Sequence, residues 1–401
     1  MNPIVILLLL LSRPCLASAQ ATLVPMEPEN IYAHMDVAFN QSDLPAVVAI
    51  AVDKAGERVV YEKGKAIWDK EIPVTADHLF RIASMTKLLT SIAAMQLVER
   101  NLLELDGDLS ELMPEMASIP ILQGDSLIPA EKPITLRHLL THTAGFGYFG
   151  YTVDPTLFRE DNWPYDDKPR MFESGTQFLY GTSTDWVGKL VEKVSGQSLD
   201  IYFKKHITGP LQMNRTFYNV PESLHHLIVS RGHRGEDGEQ SLVEIDARVP
   251  AKVTETFSGG GGLFSTPNDY TKLLYCLLNK GEFPGGRILK EDTVNEMLKN
   301  QVGEISLNPG KRFSAPGSCC NFSGLMDTDS KWGLAFMIDN SPEPYGRSKG
   351  TVAWGGYYNT FFFIDFKKGI AASLYTQHIP FNHQKTTDIF HRFSELIYTS
   401  K

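Results

Sequence analysis

The sequence predicts an α/β fold of the α+β type, in which one antiparallel sheet is formed from both ends of the chain and helices flank it. Two observations predict it. Strand-like runs occur near the start and again after residue 325, whereas the stretch between them is mainly helical in pattern. We find no internal repeat or low-complexity linker. We therefore predict one domain over residues 20–401, with a sheet region at about 20–82 and 325–401 and a helical region at 83–324.

The strands are predicted in two groups. Residues 46–52 form an apolar, β-rich run, residues 53–56 supply a turn, and residues 58–63 alternate back, which predicts a hairpin. The other strands come from the far end of the chain, as runs separated by turn residues at 332–338, 351–354, 360–366 and 370–377. We expect both groups to pair in one sheet.

The most apolar helix is predicted at 84–103, where apolar residues occupy most of the helical surface. Because a helix that is apolar all round is normally buried, this one should run through the centre of the protein. Periodicity and end signals predict further helices at 136–142, 185–194, 267–278, 291–298 and 388–398.

Composition and charge narrow the classes of function. The chain is 42% hydrophobic with a formal net charge of -9 and shows no basic stripe, so we expect no nucleic-acid partner. The apolar run from Ile4 to Leu11, followed by Ala17-Ser18-Ala19, has the form of a signal peptide at residues 1–19, cleaved after about Ala19. The run is too short to span a bilayer. We expect an exported protein, periplasmic or secreted, without a transmembrane segment.

Metal and cofactor sites are not indicated. His138 and His142 are four residues apart, but no glutamate follows His138 as the zinc-protease motif requires. Cys276, Cys319 and Cys320 show no zinc-ligand spacing, and either free thiols or one disulfide would account for them. We predict neither a metal nor a cofactor.

The pattern that carries chemistry is Ser84-Met85-Thr86-Lys87, at the start of the predicted central helix. Positions i and i+3 share a helix face, so the Ser84 hydroxyl and the Lys87 amine can hydrogen bond. A lysine can take the proton of a serine only if its pKa is lowered, and burial together with the positive end of the helix dipole would lower it. Ser84 is therefore the candidate nucleophile and Lys87 its activating group.

Three segments carry a resemblance to a known family. They are residues 79–87 around Ser84, residues 134–145 (Ile-Thr-Leu-Arg-His-Leu-Leu-Thr-His-Thr-Ala-Gly), and Gly259 to Gly262 followed by Leu-Phe-Ser-Thr-Pro. In this order they resemble the serine β-lactamase and penicillin-recognising enzymes, most closely the branch with class C β-lactamases, DD-peptidases and carboxylesterases. The resemblance implies a β-lactamase/DD-peptidase-like fold and an acyl-enzyme on Ser84, with no cofactor.

The resemblance also assigns further residues. Tyr180 matches the tyrosine of the second motif, which moves protons between nucleophile and leaving group, and Thr182 stands where asparagine is common. Trp354-Gly355-Gly356 matches the third motif in the form that esterase members carry, with tryptophan in place of a cationic or hydroxyl residue. The backbone N–H groups of Ser84 and Tyr357 are the expected oxyanion hole.

The segment 146–172 is rich in aromatic residues and lacks clear periodicity. A loop of this length often forms a lid or pocket wall, although an aromatic plug packed on the scaffold is an equally good interpretation. Tyr148 and Phe149 therefore join Thr182 and Trp354-Gly355-Gly356 as candidate substrate-binding residues.

Three functions compete on these residues. Trp354-Gly355-Gly356 and the aromatic segment favour a serine hydrolase of the carboxylesterase type, which cleaves small or medium acyl esters and would act as a transferase if an alcohol replaced water. A β-lactamase or D-amino-acid peptidase is the alternative, because Ser84, Lys87 and Tyr180 would serve it as well. The third, from another class, is a non-catalytic scaffold on this fold. In the first two, the partner is a small-molecule ester or amide.

Overall fold

The computed structural model describes residues 28–234, 242–244, 248–250, 252–308, 329–341 and 344–399 of the protein. The predicted signal peptide at 1–19 lies outside these residues, as do Cys319 and Cys320. Cys276 is a buried free thiol.

The main feature of the described structure is an eight-stranded antiparallel sheet that joins both ends of the chain. This confirms the predicted fold class. The strands are β1 Ala46–Asp53, β2 Arg58–Ile67, β3 Ile72–Pro73, β4 Phe80–Arg81, β5 Ile121–Gln123, β6 Ser126–Ile128, β7 Gly232–Arg234, β8 Leu242–Glu244, β9 Phe264–Ser265, β10 Glu282–Phe283, β11 Gly286–Arg287, β12 Lys331–Trp332, β13 Met337–Asp339, β14 Thr351–Gly356, β15 Thr360–Asp365, β16 Ile370–Tyr375 and β17 His378–Ile379. The large sheet has the order β12-β13-β14-β15-β16-β1-β2-β3.

The helices account for most of the remaining regular structure. They are α1 Pro28–Ser42, α2 Thr86–Glu99, α3 Pro114–Ala117, α4 Leu136–Leu140, α5 Ser183–Ser195, α6 Leu199–Phe203, α7 Pro267–Leu278, α8 Glu291–Met297 and α9 Gln384–Thr399. A π-helical turn, Lys204–Thr208, continues α6, and 3-10 turns occupy Ala83–Met85, Glu222–Leu227 and Pro344–Gly346.

Helices cover both faces of the large sheet. Successive side chains of a strand point to opposite faces, and β15 shows this directly. The Phe361 and Phe363 rings contact Phe390 of α9, whereas the Phe362 ring contacts Tyr270 of α7. All residues of β1, β14, β15 and β16 are buried as a result.

Two expectations for the elements are wrong. Residues 332–338 form two short strands, β12 and β13, and not one strand, because the chain turns between them at Gly333. A Cβ on Gly333 would lie 2.2 Å from the Met297 carbonyl oxygen, so glycine lets the turn approach the end of α8. The predicted helix 84–103 also begins with a 3-10 turn and ends at Glu99.

The position of the site follows from where β14 meets the chain before α2. A Cβ on Gly356 would lie 2.2 Å from the Ile82 carbonyl oxygen, so glycine is required for this approach. β4, directly before this segment, also pairs with β9, which follows the glycine-rich stretch. The sheet, the start of α2 and the glycine-rich stretch therefore converge at Ser84.

Candidate active site

Ser84 and Lys87 lie at the junction of a 3-10 turn and α2. The turn Ala83–Met85 runs directly into α2, and Ala83 has a φ of 44°, in the left-handed region that non-glycine residues rarely adopt. The Lys87 side chain is buried, at 2% exposure, and its Nζ donates to Ser84 Oγ at 3.3 Å. The structure thus brings the two residues of the motif into contact.

Lys87 has three acceptors, which match the three N–H donors of an ammonium. Besides Ser84 Oγ, its Nζ donates to Tyr148 Oη at 2.9 Å and to the Gly260 carbonyl oxygen at 2.8 Å. Burial acts to lower the pKa of Lys87, but the oxygens of Tyr148, Tyr180 and Asp185 outweigh it, so the pKa lies above its ordinary value. The expectation that burial and the helix dipole would lower the pKa of Lys87 is therefore wrong for this structure, and Lys87 is a cation.

The glycine-rich stretch at 259–262 delivers one of these acceptors. A Cβ on Gly259 would lie 2.3 Å from the Thr184 carbonyl oxygen, and one on Gly260 would lie 2.5 Å from Asp185 Oδ2. Only glycines allow the stretch to lie this close to α5. Thr90 Oγ1 of α2 donates to the Gly259 carbonyl oxygen at 2.7 Å, which fixes the stretch between the two helices.

Tyr148 and Tyr180 both lie beside Lys87. Lys87 Nζ is 4.9 Å from the centre of the Tyr180 ring and 5.4 Å from that of Tyr148. Thr152 connects the two tyrosines, because its Oγ1 accepts from the Tyr148 N–H at 2.9 Å and donates to the Tyr180 carbonyl oxygen at 2.8 Å. Burial raises the pKa of Tyr148, and the opposing effect of Lys87 does not cancel this. Tyr148 is thus a phenol at neutral pH.

Trp354 contacts the second-motif tyrosine directly. Its indole Nε1 donates to Tyr180 Oη at 3.0 Å, and the ring centres are 4.9 Å apart. The tryptophan therefore supplies a neutral N–H donor to the phenolic oxygen. Gly355 leaves room for the Phe361 ring of the neighbouring strand, since a Cβ at Gly355 would lie 2.7 Å from that ring.

A cavity of about 220 Å³ opens over the nucleophile. Its described lining is Ser84, Tyr148, Tyr151, Tyr180, Trp354, Gly355, Tyr357 and Phe381. These residues carry no formal charge, and six of the eight are aromatic. The cavity can therefore hold an apolar acyl group next to Ser84 Oγ.

Two lining residues, Tyr151 and Phe381, are absent from the candidates named on sequence. Tyr151 belongs to the aromatic segment, and its ring contacts Tyr148 and Tyr357. Phe381 comes from the loop after β17, which Asn359 Nδ2 holds by donating to the Pro380 carbonyl oxygen at 2.7 Å. Only the segment's aromatic content could have signalled Tyr151, and no local pattern marks Phe381.

Two predicted substrate-binding residues lie elsewhere in the described structure. The Thr182 hydroxyl donates to Asp167 Oδ2 at 2.5 Å, and Thr182 is not among the described residues that line the cavity. Phe149 packs against a separate apolar cluster that includes Val153 and Leu179. Gly356 lies at the end of β14, against Ile82, and shapes the site through the backbone.

The two amides expected to form the oxyanion hole come from segments that touch. Ser84 and Tyr357 both line the cavity, and Gly356, next to Tyr357, lies against Ile82, two residues before Ser84. The backbone thus brings both residues to the same end of the cavity.

His138 and His142 have local roles. The His138 ring accepts from the Thr135 N–H and completes a capping box at the start of α4. His142 packs on the Tyr180 ring at 4.5 Å, and burial with the nearby Lys87 places its pKa well below its ordinary value. The His142 ring is therefore neutral beside Tyr180. Within the described residues, no group of three or more His, Cys, Asp or Glu side chains could hold a metal ion.

A half-buried serine in contact with a buried lysine, beside a tyrosine and an uncharged cavity, defines a class: enzymes that transfer acyl groups through a serine. The chain belongs to the Beta-lactamase family, whose model matches residues 38–395. The predicted enzyme class, a β-lactamase-related serine hydrolase, is confirmed by the relatives.

Three relatives place the chain within this family. It is 30% identical over 376 residues to lovastatin esterase of Penicillium rubens, covering 83% of this chain and 88% of that protein. It is 29% identical over 349 residues to monacolin J acid methylbutanoyltransferase of Aspergillus terreus, covering 81% and 83%. The unliganded structure of simvastatin synthase from Aspergillus terreus superposes with a TM-score of 0.80 at 27% identity, covering 93% of this chain and 98% of that one.

Proposed function

We propose that the protein hydrolyses small or medium acyl esters of carboxylic acids through an acyl-enzyme on Ser84. The arrangement of Lys87 carries this proposal, because its ammonium contacts the Ser84 hydroxyl and the Tyr148 phenol at once. Two relatives support the proposal, since one is named as an esterase and the other as a methylbutanoyltransferase.

Acylation uses the residues as follows. Ser84 Oγ attacks the ester carbonyl carbon and gives its proton to Tyr180, whose phenolate the Lys87 cation and the Trp354 N–H stabilise. The oxyanion that forms accepts from the amides of Ser84 and Tyr357, and losing one such donor typically costs ~10²–10³ in rate. Tyr180 returns the proton to the leaving alcohol as the C–O bond breaks, and the acyl group stays on Ser84.

Deacylation reverses these steps with water. Water gives a proton to Tyr180 as it attacks the acyl carbon, and the proton then returns to Ser84 Oγ as the acid leaves. If an alcohol attacks instead of water, the product is a new ester. Transfer to an alcohol is the second candidate function, since one relative named as a transferase is as similar to this chain as one named as an esterase.

The character of the cavity supports esters over β-lactams. A β-lactam or a D-alanyl peptide carries a carboxylate, and an anion needs a cation or several donors when it leaves water. The described lining of the cavity holds no Lys, Arg or His side chain, and Trp354 occupies the position of a cationic residue. An uncharged acyl chain has no such requirement.

The test is a comparison of the wild type with Ser84→Ala on p-nitrophenyl butyrate and on nitrocefin. We expect butyrate hydrolysis to fall by at least ~10³-fold in the variant, because the nucleophile is lost, and we expect negligible nitrocefin turnover by both. Faster turnover of nitrocefin than of butyrate by the wild type would replace the ester proposal with the β-lactamase alternative. No difference between wild type and variant would favour the scaffold.

We also propose that the protein is exported, on the basis of the signal-like segment at residues 1–19. None of the helices in the described part of the chain is long and apolar enough to cross a membrane. Mass spectrometry of protein secreted by an expression host should find an N-terminus at Gln20. An intact Met1 on the secreted or cell-retained protein would contradict the proposal.

A further inference from the structure

Asp185, in the first turn of α5, is a carboxylate near the site that has no role in the proposed reaction so far. Its Oδ1 accepts from the Gly260 N–H at 3.0 Å and from the Ser258 hydroxyl. On the other side of the same residue, the Gly260 carbonyl oxygen accepts from Lys87 Nζ at 2.8 Å. One glycine therefore connects a carboxylate to the lysine that contacts the nucleophile.

The local sequence is built for this connection. A Cβ at position 260 would lie 2.5 Å from Asp185 Oδ2 and 3.1 Å from Oδ1, so a side chain there would push the carboxylate and the backbone apart. The absence of a side chain at position 260 is therefore needed for this contact. It allows a carboxylate to lie behind the backbone that Lys87 contacts.

We propose that Asp185 is a positioning residue that keeps Lys87 in its ammonium form, acting through the Gly260 backbone. The inference deepens the proposed function and rests on it, because it concerns the same reaction. A negative charge close to Lys87 favours the protonated lysine, and the hydrogen bond to the Gly260 N–H holds in place the glycine whose carbonyl oxygen accepts from Nζ. Asp185 is not among the described residues that line the substrate cavity, so it acts on the reaction through its charge and not through contact with the substrate.

The electrostatic influence of Asp185 agrees with this geometry. Asp185 is one of the groups that raise the pKa of Lys87, after Tyr148 and Tyr180. Five other described titratable groups interact electrostatically with Lys87 or Asp185. They are Tyr148, Tyr180, His142, Asp167 and Tyr218. All of these stay in place when Asp185 alone is changed, so a shift in pH dependence can be assigned to Asp185.

The decisive variant is Asp185→Asn, which keeps the shape and loses the charge. Rates are measured on ethyl butyrate in a pH-stat from pH 7 to 11.5, and the spontaneous hydrolysis of the ester is subtracted at each pH. Removing a unit charge that is separated from a lysine by one residue and two hydrogen bonds, with an effective dielectric constant of about 20, shifts a pKa by about one to two units. We expect the wild-type kcat/KM to stay level over this range, because the pKa of Lys87 lies above its ordinary value. We expect the alkaline limb of Asp185→Asn to move to lower pH, so that its kcat/KM falls at the upper end of the range.

Two controls separate charge from hydrogen bonding. Ser258→Ala removes a hydrogen bond to Asp185 and keeps the carboxylate, so its pH profile should match the wild type. Asp166→Asn removes a carboxylate that pairs with Lys189 of α5 at the surface and should also match. An unshifted profile for Asp185→Asn, or an equal shift for Ser258→Ala, would overturn the inference.

A second variant covers the case in which Asp185→Asn does not fold. Asp185→Glu keeps the charge, so its alkaline limb should stay within about half a unit of the wild type even if kcat falls. A limb displaced by a unit or more in this variant would argue against a charge effect. The rate at which a fluorophosphonate labels Ser84, measured against pH, reports the protonation of Lys87 without any ester turnover. Failure of the esterase proposal would be seen as absence of ester hydrolysis. Failure of this inference would be seen as a labelling profile that Asp185→Asn does not shift.

Discussion

At the scale of single residues, the contact between Trp354 and Tyr180 joins strand β14 to the tyrosine that we propose as the proton carrier. The indole Nε1 donates to Tyr180 Oη at 3.0 Å, and a hydrogen bond to a charged oxygen is worth more than one to a neutral oxygen. The donor therefore favours the Tyr180 phenolate that accepts the Ser84 proton in the proposed reaction. Trp354 both lines the cavity and donates a hydrogen bond to the tyrosine that we propose as the proton carrier.

Trp354→Phe tests this role. We expect kcat on p-nitrophenyl butyrate to fall about 10-fold to 100-fold, since a hydrogen bond to a charged group contributes roughly 1.5–3 kcal/mol, while KM changes little because the aromatic wall remains. Trp332→Phe is the matched control. The Trp332 ring packs against Trp354 and Tyr180, and phenylalanine can keep this packing. The Trp332 indole N–H donates to the Leu140 carbonyl oxygen at 3.1 Å and not to the phenol, so Trp332→Phe should lower the melting temperature and leave kcat within about twofold. Equal losses of kcat in the two variants would contradict a specific role for Trp354.

Substitutions of the two tyrosines beside Lys87 should lower kcat by different amounts in the same assay. Tyr180→Phe removes the proposed proton carrier, so we expect kcat to fall by ~10²–10⁴. Tyr148 keeps its proton, because burial raises its pKa, and it acts only as an acceptor for Lys87. Tyr148→Phe should therefore cost about 10-fold or less. A larger loss in Tyr148→Phe than in Tyr180→Phe, measured by single-turnover acylation, would reverse the assignment.

The sequence could predict some of these residues and not others. Ser84 and Lys87 are three positions apart on one helix, so local geometry predicts their contact. Asp185 and Gly260 are far apart in the chain, and their contact depends on how α5 packs against the glycine-rich stretch. The raised pKa of Lys87 depends on the same packing, which is why a local argument gave the wrong direction.

At the scale of elements, Asp167 fixes the aromatic segment to the start of α5. Its Oδ2 accepts from the Thr182 hydroxyl at 2.5 Å and from Trp186 Nε1 at 2.9 Å. The second-motif residue Thr182 is thereby engaged in holding a loop. Tyr148 and Tyr151, which wall the cavity, belong to the segment that this contact holds.

Asp167→Ala should loosen that wall. Trp186 and Thr182 would lose their shared acceptor, so we expect faster amide hydrogen exchange across residues 154–172 and a KM for p-nitrophenyl hexanoate raised several-fold, with kcat changed less than about threefold. Asp166→Ala, the neighbouring position, loses only an exposed ion pair with Lys189, which is worth little, and serves as the control. Unchanged exchange in Asp167→Ala would show that the segment is held by its aromatic packing.

The elements themselves were predictable wherever the chain carried its own signals. α7 is observed at the predicted residues 267–278, where Thr266 caps the helix by accepting from the Asp269 N–H. The turn at Gly333 was not predictable, because only contact with α8 shows why it is needed. α1 was also missed, and it packs on α9 from the opposite end of the chain, which local periodicity does not report.

At the scale of the whole molecule, several buried histidines make stability depend on pH. Burial, with neighbouring positive groups, lowers the pKa of His378 to about 3 and that of His391 to about 4, and it places that of His142 well below the ordinary value of 6.5. The folded protein therefore resists protonation that the unfolded chain accepts. Below pH 6.5 the unfolded state binds more protons, so the free energy of unfolding decreases as the pH falls.

The size of this pH dependence follows from the difference between the folded and unfolded pKa of each histidine. Each such histidine contributes a slope of about 1.4 kcal/mol per pH unit between its folded pKa and its unfolded pKa. His378→Gln removes one of these groups while its position beside Thr386 Oγ1 still suits a polar side chain. We expect the plot of unfolding free energy against pH, from urea titrations between pH 4 and 6, to lose about that slope, whatever the change in absolute stability. An equal slope for His378→Gln and the wild type would show that His378 can be protonated without unfolding.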